Sequence, residues 1–243
     1  MSIVELLPAS ARLSKRALTA WMGGEPELRL LPRLCRKDEL SLDIGANYGV
    51  YTWHLARFSA GVVAFEPQPG PAEFVRRGMG GRVRLEQVAL SDSDGEVTLR
   101  VPRDRMQDGR ATIEPGNALE EIDAVETTVP RRRLDSFDFP RVGFAKVDVE
   151  GHELAALRGG RALLERDRPT LLVEAEDRHR SGAVESVAVF LANLGYRGAF
   201  LDAGALVPLA RIGAGPVGAA AAAAGINNFV FAARPDVLAD LAL

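Results

Sequence analysis

The sequence predicts an α/β protein whose single main domain is doubly wound around a mostly parallel sheet. Three observations carry this. Short apolar runs alternate with segments of helical period from about residue 40 onward, the pattern that a parallel sheet with crossover helices produces. Several of those runs lack polar alternation, as central strands buried on both faces do. The 243 residues, 47% hydrophobic and 26% charged, suffice for one large core.

In chain order, residues 1–39 come first as a helical lid or oligomer-contact segment, and residues 40–243 form the domain. Ile3, Leu6, Leu7, Leu13, Ala17 and Leu18, with Arg12, Lys15 and Arg16 between them, suggest an amphipathic helix that packs on the domain, a membrane surface or a second copy in a homo-oligomer. Glu5 and Pro8 interrupt the first apolar run and no basic stretch precedes it, so no secretory signal is expected. No run reaches the roughly 18 apolar residues of a membrane span, and a cytoplasmic setting is expected.

Strands are expected at residues 40–44, 62–65, 83–88, 144–147, 171–173, 199–201 and 229–231, with helices at 51–58, 71–77, 153–165 and 184–194. Ser91 to Gly95 read as a turn, followed by an extra strand at 96–101. A polar loop from Pro102 to Gly116 is long enough for a functional lid. The alanine-rich stretch from Gly213 to Gly225 fits either a short helix or a mobile connector.

Charge and cysteine content narrow the function. Thirty Lys and Arg against 33 Asp and Glu give a net charge of −3, which argues against a dedicated nucleic-acid binder. Cys35 is the single cysteine, excluding an intramolecular disulfide framework or a multi-cysteine zinc site. The basic run Arg131 to Arg133 reads as a solvated surface.

The segment from Leu42 to Tyr51 is the most informative. A buried strand runs into Gly45, the chain turns, and a helix begins near Gly49. Glycines there allow positive φ and close approach of a ligand, and the helix amides point into the turn. Only two glycines appear, four residues apart, so the G-x-G-x-x-G dinucleotide fingerprint is absent. Asp43 stands at the strand end. Glu66 lies 21 residues after Gly45 at the tip of the second strand, where a carboxylate usually accepts from two ribose hydroxyls. A nucleoside is implied without a pyrophosphate; otherwise Asp43 and Glu66 merely cap the following helices.

A later strand delivers Lys146, Asp148 and Glu150, alternating so that all three project to one side if the strand continues that far. Gly151 permits a turn, and Glu153 begins a helix. His152 competes with Asp148 as a base.

Taken together, Leu42-Asp-Ile-Gly-Ala-Asn-Tyr-Gly, Val63-Ala-Phe-Glu-Pro, Val88-Ala-Leu-Ser-Asp, Lys146-Val-Asp-Val-Glu-Gly-His-Glu, Pro169-Thr-Leu-Leu-Val-Glu and Asn227-Asn-Phe-Val-Phe resemble the FkbM-type S-adenosylmethionine-dependent methyltransferases over about residues 40–233. The resemblance implies a Rossmann-like class I methyltransferase with a seven-stranded sheet and a reversed, antiparallel last strand. It also implies that Asp43, Gly45, Ala46 and Asn47 surround the methionyl part of S-adenosylmethionine, with Tyr48 and Gly49 among the cofactor-binding residues. Glu66 would take its ribose, and Val88 with Ala89 its adenine edge.

What the resemblance implies for function is O-methylation of a hydroxyl on a sugar, oligosaccharide, glycolipid or polyketide-type natural product, a small-molecule or glycan acceptor rather than nucleic acid. Methyl transfer is an in-line displacement that needs alignment and exclusion of water. A protonated alcohol is a poor nucleophile, so a group must take its proton. Asp148 is the first candidate and His152 the second; Glu174 is a further catalytic candidate. Asp148, Glu174 and Glu176 also occupy the positions where catechol-type O-methyltransferases hold Mg²⁺, so a metal variant is an alternative. Glu174 and Glu176 could equally bind the acceptor or pair with Arg178. The other readings are a noncatalytic nucleoside-binding protein on the same fold and an NAD-dependent oxidoreductase, the latter opposed by the missing third glycine.

Overall fold

The computed structural model describes residues 7–104, 110–115, 123–213 and 216–241. Ile3 and Leu6 of the amphipathic stretch, residues 105–109 and 116 of the polar loop and residues 214–215 of the alanine-rich stretch lie outside these. The described elements begin with α1 (Ala9–Thr19), α2 (Leu31–Leu34), β1 (Leu40–Ile44), α3 (Val50–Phe58), β2 (Gly61–Phe65), α4 (Pro69–Met79) and β3 (Arg84–Glu86). Then come β4 (Ala89–Leu90), β5 (Gly95–Pro102), β6 (Ala124–Arg132), β7 (Val142–Val147), α5 (Glu153–Gly159), α6 (Arg161–Asp167) and β8 (Thr170–Glu174). The chain continues through α7 (Ala183–Asn193), β9 (Arg197–Asp202), β10 (Ala205–Pro208), α8 (Val217–Ala224), β11 (Asn228–Ala232) and α9 (Pro235–Leu241).

The main sheet runs β10-β9-β11-β8-β7-β1-β2-β3. β8, β7, β1, β2 and β3 are mutually parallel, and β11 lies antiparallel between β8 and β9. The expected seven strands and the reversed last strand are present. An eighth, β10, joins at the edge by folding back on β9 through Ala203 and Gly204, both at positive φ. Its four residues end in Pro208, which an edge position tolerates. The strand order reverses direction beside β1, between β2 and β7, so the crevice falls at the carboxyl ends of these central strands.

Alternation along the strands divides the core into two layers. Leu42, Ile44, Val63, Phe65, Ala145, Val147, Leu171 and Val173 pack with Ala156, Leu157, Leu163 and Val187 from the helices on one face. Val62, Phe144, Leu172 and Val230 face the other way, against Leu28, Leu31, Leu34, Leu55 and Val237. Burying long apolar side chains on both faces is the main stabilising contribution, roughly 1.5–3 kcal/mol for each Leu, Ile, Val or Phe.

Two features go beyond the sequence expectation, and a third decides between its alternatives. The expected helix over 153–165 breaks into α5 and α6, because Gly159 and Gly160 lie against neighbours: a Cβ on Gly159 would sit 1.9 Å from the Ser91 carbonyl oxygen. The extra strand, β5, pairs with β6 in a long antiparallel ribbon, and β4 adds to β6 in a second, three-stranded sheet. The alanine-rich stretch contains a helix, α8, closed by Gly225 in the left-handed conformation at φ 67°.

Candidate active site

Two chambers open at the carboxyl ends of the central strands. The first is lined by Phe65, Glu66, Pro67, Val88, Ala89, Leu90, Leu99 and the segment Ala111, Thr112 and Ile113, and the second by Arg16, Glu25, Asp43, Ala46, Tyr48, Tyr51, Lys146 and Glu174. Gly45, Asn47 and Asp148 line both.

The turn after β1 builds the junction. Gly45 adopts φ 81°, and a Cβ there would lie 1.8 Å from the Asp148 carbonyl oxygen, so only glycine lets β1 and the chain after β7 come together. The Gly45 and Ala46 amides each donate to the Phe65 carbonyl at 3.0 Å. Asn47 is also at positive φ, 47°. Its amide donates to Glu66 Oε2 at 2.6 Å, while its side-chain Oδ1 is buried with no hydrogen-bond partner among the described residues. Gly49, at φ 76°, caps α3 and packs its Cα face against Val75 of α4. It lines neither chamber, so its role is to shape the turn.

Glu66 is buried and accepts from the Asn47 and Gln68 amides, the latter at 2.8 Å. Burial pushes its carboxyl up to about 7, against those hydrogen bonds. Asp43, also buried, accepts from the Thr52 hydroxyl, and burial raises it to about 6. Val88 and Ala89 form an apolar flank of the first chamber, across from Ile113. The Thr112 hydroxyl donates to the Glu150 carbonyl at 2.8 Å, which ties the 110–115 segment to the turn after β7.

β7 ends at Val147, so the expected alternation stops there, and the three residues divide. Lys146, 1% exposed, extends its Nζ to within 3.3 Å of Asp148 Oδ2 and 3.5 Å of Glu174 Oε2. The ring of Tyr51 lies 5.0 Å away. Glu150, at φ 54°, turns instead to His179, at 3.1 Å, and lines the first chamber. Glu174 also accepts from the Asn227 side-chain amide at 2.9 Å, and burial raises its carboxyl to about 7. Glu176 pairs with Arg178. Glu153, 1% exposed, accepts from the Gly151 amide at 2.8 Å and lines neither chamber.

His152 is not brought into this cluster. Its Nε2 bonds the Ser91 hydroxyl at 2.9 Å and its Nδ1 bonds Glu114 Oε2 at 2.5 Å. With both ring nitrogens occupied by partners outside the chambers, the imidazole ties the 110–115 segment to α5 and β4. That arrangement does not suit the role of base proposed for His152 from the sequence.

The residues fit S-adenosylmethionine: an apolar slot beside a ribose-seeking carboxylate, a glycine cradle, an unpartnered Asn47 acceptor and acidic walls for a cation. They do not fit Mg²⁺. Mg²⁺ requires near-octahedral oxygen ligation at about 2.0–2.1 Å, whereas Asp148 and Glu174 already share the Lys146 ammonium. Among the described residues, no group of three or more His, Cys, Asp or Glu is arranged to hold a metal.

Sequence reasoning missed Arg16, Glu25, Glu114 and Asn227, which reach the site or its lid from distant segments. The basic spacing of the first helix hinted at Arg16, whose guanidinium stacks 4.4 Å above the Tyr48 ring.

Comparisons with known proteins identify the family and the fold. Residues 43–197 match the methyltransferase FkbM domain family. Hexuronic acid methyltransferase AglP of Haloferax volcanii is 27% identical over 140 residues, 56% of each chain. The solved structure of methyltransferase FkbM from Methylobacillus flagellatus KT is similar with a TM-score of 0.50 at 17% identity, over 92% of this chain and 54% of that one. The chain thus spans about half the length of these relatives. With a family match over more than half of its residues, this chain belongs to the FkbM methyltransferase family.

Proposed function

We propose that the protein transfers the methyl group of S-adenosylmethionine to a hydroxyl oxygen of a sugar-containing acceptor, with Asp148 as the base. The observation that carries this is the position of Asp148, which lines both chambers at their junction beside the buried Lys146. Bound S-adenosylmethionine supplies an electrophilic methyl carbon on a sulfonium. Glu66 would accept from the ribose hydroxyls, Val88 and Ala89 would flank the adenine, and Asn47 Oδ1 would accept from the methionyl ammonium. Asp43 and Asp148 face the positive donor with negative charge. As the acceptor oxygen attacks, Asp148 takes its proton. Residues 7–39 cover the second chamber as a lid, with Arg16 and Glu25 at its edge. Likeness to a hexuronic acid methyltransferase supports a sugar acceptor.

Calorimetry with S-adenosylmethionine, followed by incubation of labelled donor with neutral and uronic-acid oligosaccharides, tests the reading. The expected result is micromolar donor affinity and label retained after mild alkali, as a methyl ether would be. Label released by alkali would mark a carboxylate ester and overturn the hydroxyl assignment; absence of donor binding would overturn the activity.

A further inference from the structure

A fully buried ammonium between two carboxylates on different strands is costly to assemble. Desolvating three ions is offset only where the geometry satisfies them. Lys146 pays little heed to ordinary packing: its Nζ reaches Asp148 Oδ2 at 3.3 Å and Glu174 Oε2 at 3.5 Å, and faces the Tyr51 ring at 5.0 Å. Among the described residues, Nζ meets no partner in good hydrogen-bond geometry. Without it, Asp148 and Glu174 would repel each other at the tips of neighbouring strands β7 and β8, with Asp43 close by.

We propose that Lys146 is the resident cation of the transfer site, a positioning residue that holds the Asp148 and Glu174 carboxyls at their spacing at the ends of β7 and β8, so that methyl transfer needs no divalent metal. This rests on the methyl-transfer reading above. Burial alone would lower the lysine, yet Asp148 and Glu174 hold it above its ordinary value. Lys146 therefore remains an ammonium and is not the base. As the acceptor oxygen forms the new C–O bond, the C–S bond breaks and sulfur keeps its electron pair. The hydroxyl proton passes to Asp148. Proton uptake makes the Lys146, Asp148 and Glu174 set one charge less negative, and the ammonium stays between the two carboxyls throughout.

The test combines three arms on the full chain. First, wild-type protein is titrated with Mn²⁺ by electron paramagnetic resonance and assayed with and without a chelator. Second, K146M and K146R are compared with wild type for kcat, KM and donor Kd on an acceptor that wild type turns over. Third, K146M/E174Q asks whether removing one anion compensates for removing the cation. The expected results are no Mn²⁺ bound at millimolar concentration and activity indifferent to chelator. K146M should lose about 100-fold in kcat, as displacement of a catalytic group does, with donor Kd within about 3-fold, the range of noise around an unchanged contact. K146M/E174Q should regain at least about 5-fold of that loss, roughly 1 kcal/mol.

A folded K146M with wild-type kcat, chelator-sensitive wild type, or Mn²⁺ binding abolished by D148N would each overturn the proposal. If K146M loses its circular dichroism signal, the Mn²⁺ arm on wild type and the kcat of K146R decide. If wild type methylates nothing, the reading of the reaction fails instead, and Mn²⁺ binding still judges the role of Lys146.

Discussion

The two chambers that meet at Gly45, Asn47 and Asp148 are built by different means. The first is shaped largely by backbone: the turn after β1 donates amides to Phe65 and Glu66, and apolar walls face Glu66 and the turn after β7 that carries Asp148 and Glu150. The second is made by charged side chains from separate segments, Glu25 before the sheet, Asp43 on β1, Lys146 on β7 and Glu174 on β8. The difference teaches how one fold separates tasks. Holding a constant donor calls for a rigid cradle that a short motif can encode. Activating an acceptor calls for charges whose values depend on one another across the sheet.

Four predictions break or sharpen this contrast. Gly45→Ala should damage both chambers, because its Cβ would overlap the Asp148 carbonyl oxygen. Donor binding by calorimetry and turnover should both collapse, with kcat/KM down by at least about 1000-fold, some 4 kcal/mol.

Asp148→Asn, at the junction of the chambers, should strike the transfer step hardest. We expect kcat to fall by about 100- to 10,000-fold, the range for loss of a general base, while donor Kd rises by a much smaller factor. His152→Ala should give the opposite pattern: kcat at saturating donor is largely kept, donor Kd rises, and amides near residues 110–115 exchange faster with deuterium. If the two variants change places in these assays, the assignment of the base is wrong.

Glu66→Gln should affect the first chamber only. Replacing a charged acceptor of ribose hydroxyls by an amide costs about 1.5–3 kcal/mol, or roughly 10- to 150-fold in donor Kd. At saturating donor, kcat should match wild type.

The smallest effect is on stability. Burial raises Glu66 from 4.5 to about 7 and Glu174 likewise to about 7. An acid whose folded value is raised binds its proton more tightly in the native state. Its contribution is full below about pH 4.5 and is lost as pH rises through about 7. Thermal melts of donor-free protein should therefore show Tm falling between pH 5 and 8. The contribution of Glu66 is on the order of 1–3 kcal/mol and should vanish in Glu66→Gln. A melt that rises over that interval would contradict the burial of these carboxylates.

The two chambers were unequally legible. Asp43, Gly45, Asn47 and Glu66 stand in short, contiguous motifs, because a strand, a glycine turn and a helix start fall within ten residues of chain. The carboxylates near strand ends were also visible, although they do not all line the chambers: Glu153 pins a turn and Glu176 pairs with Arg178. The partners of His152 were not visible. Ser91 and Glu114 lie 61 and 38 residues from it, and no local spacing connects them. The second sheet escaped for a related reason, since β6 is mostly exposed and alternates weakly, and its register is set by β5 and β4.

Local chemistry by itself determined the α/β class, the order of the central strands' apolar runs and the glycine turn, since these follow from periodicity and from backbone conformations that few residues adopt. Tertiary structure decided what the ionisable groups do. Lys146, Asp148 and Glu174 have their character only because β7 and β8 pair in one register and bring an ammonium between two carboxylates. Electrostatic energy depends on distance and burial, which a sequence does not state.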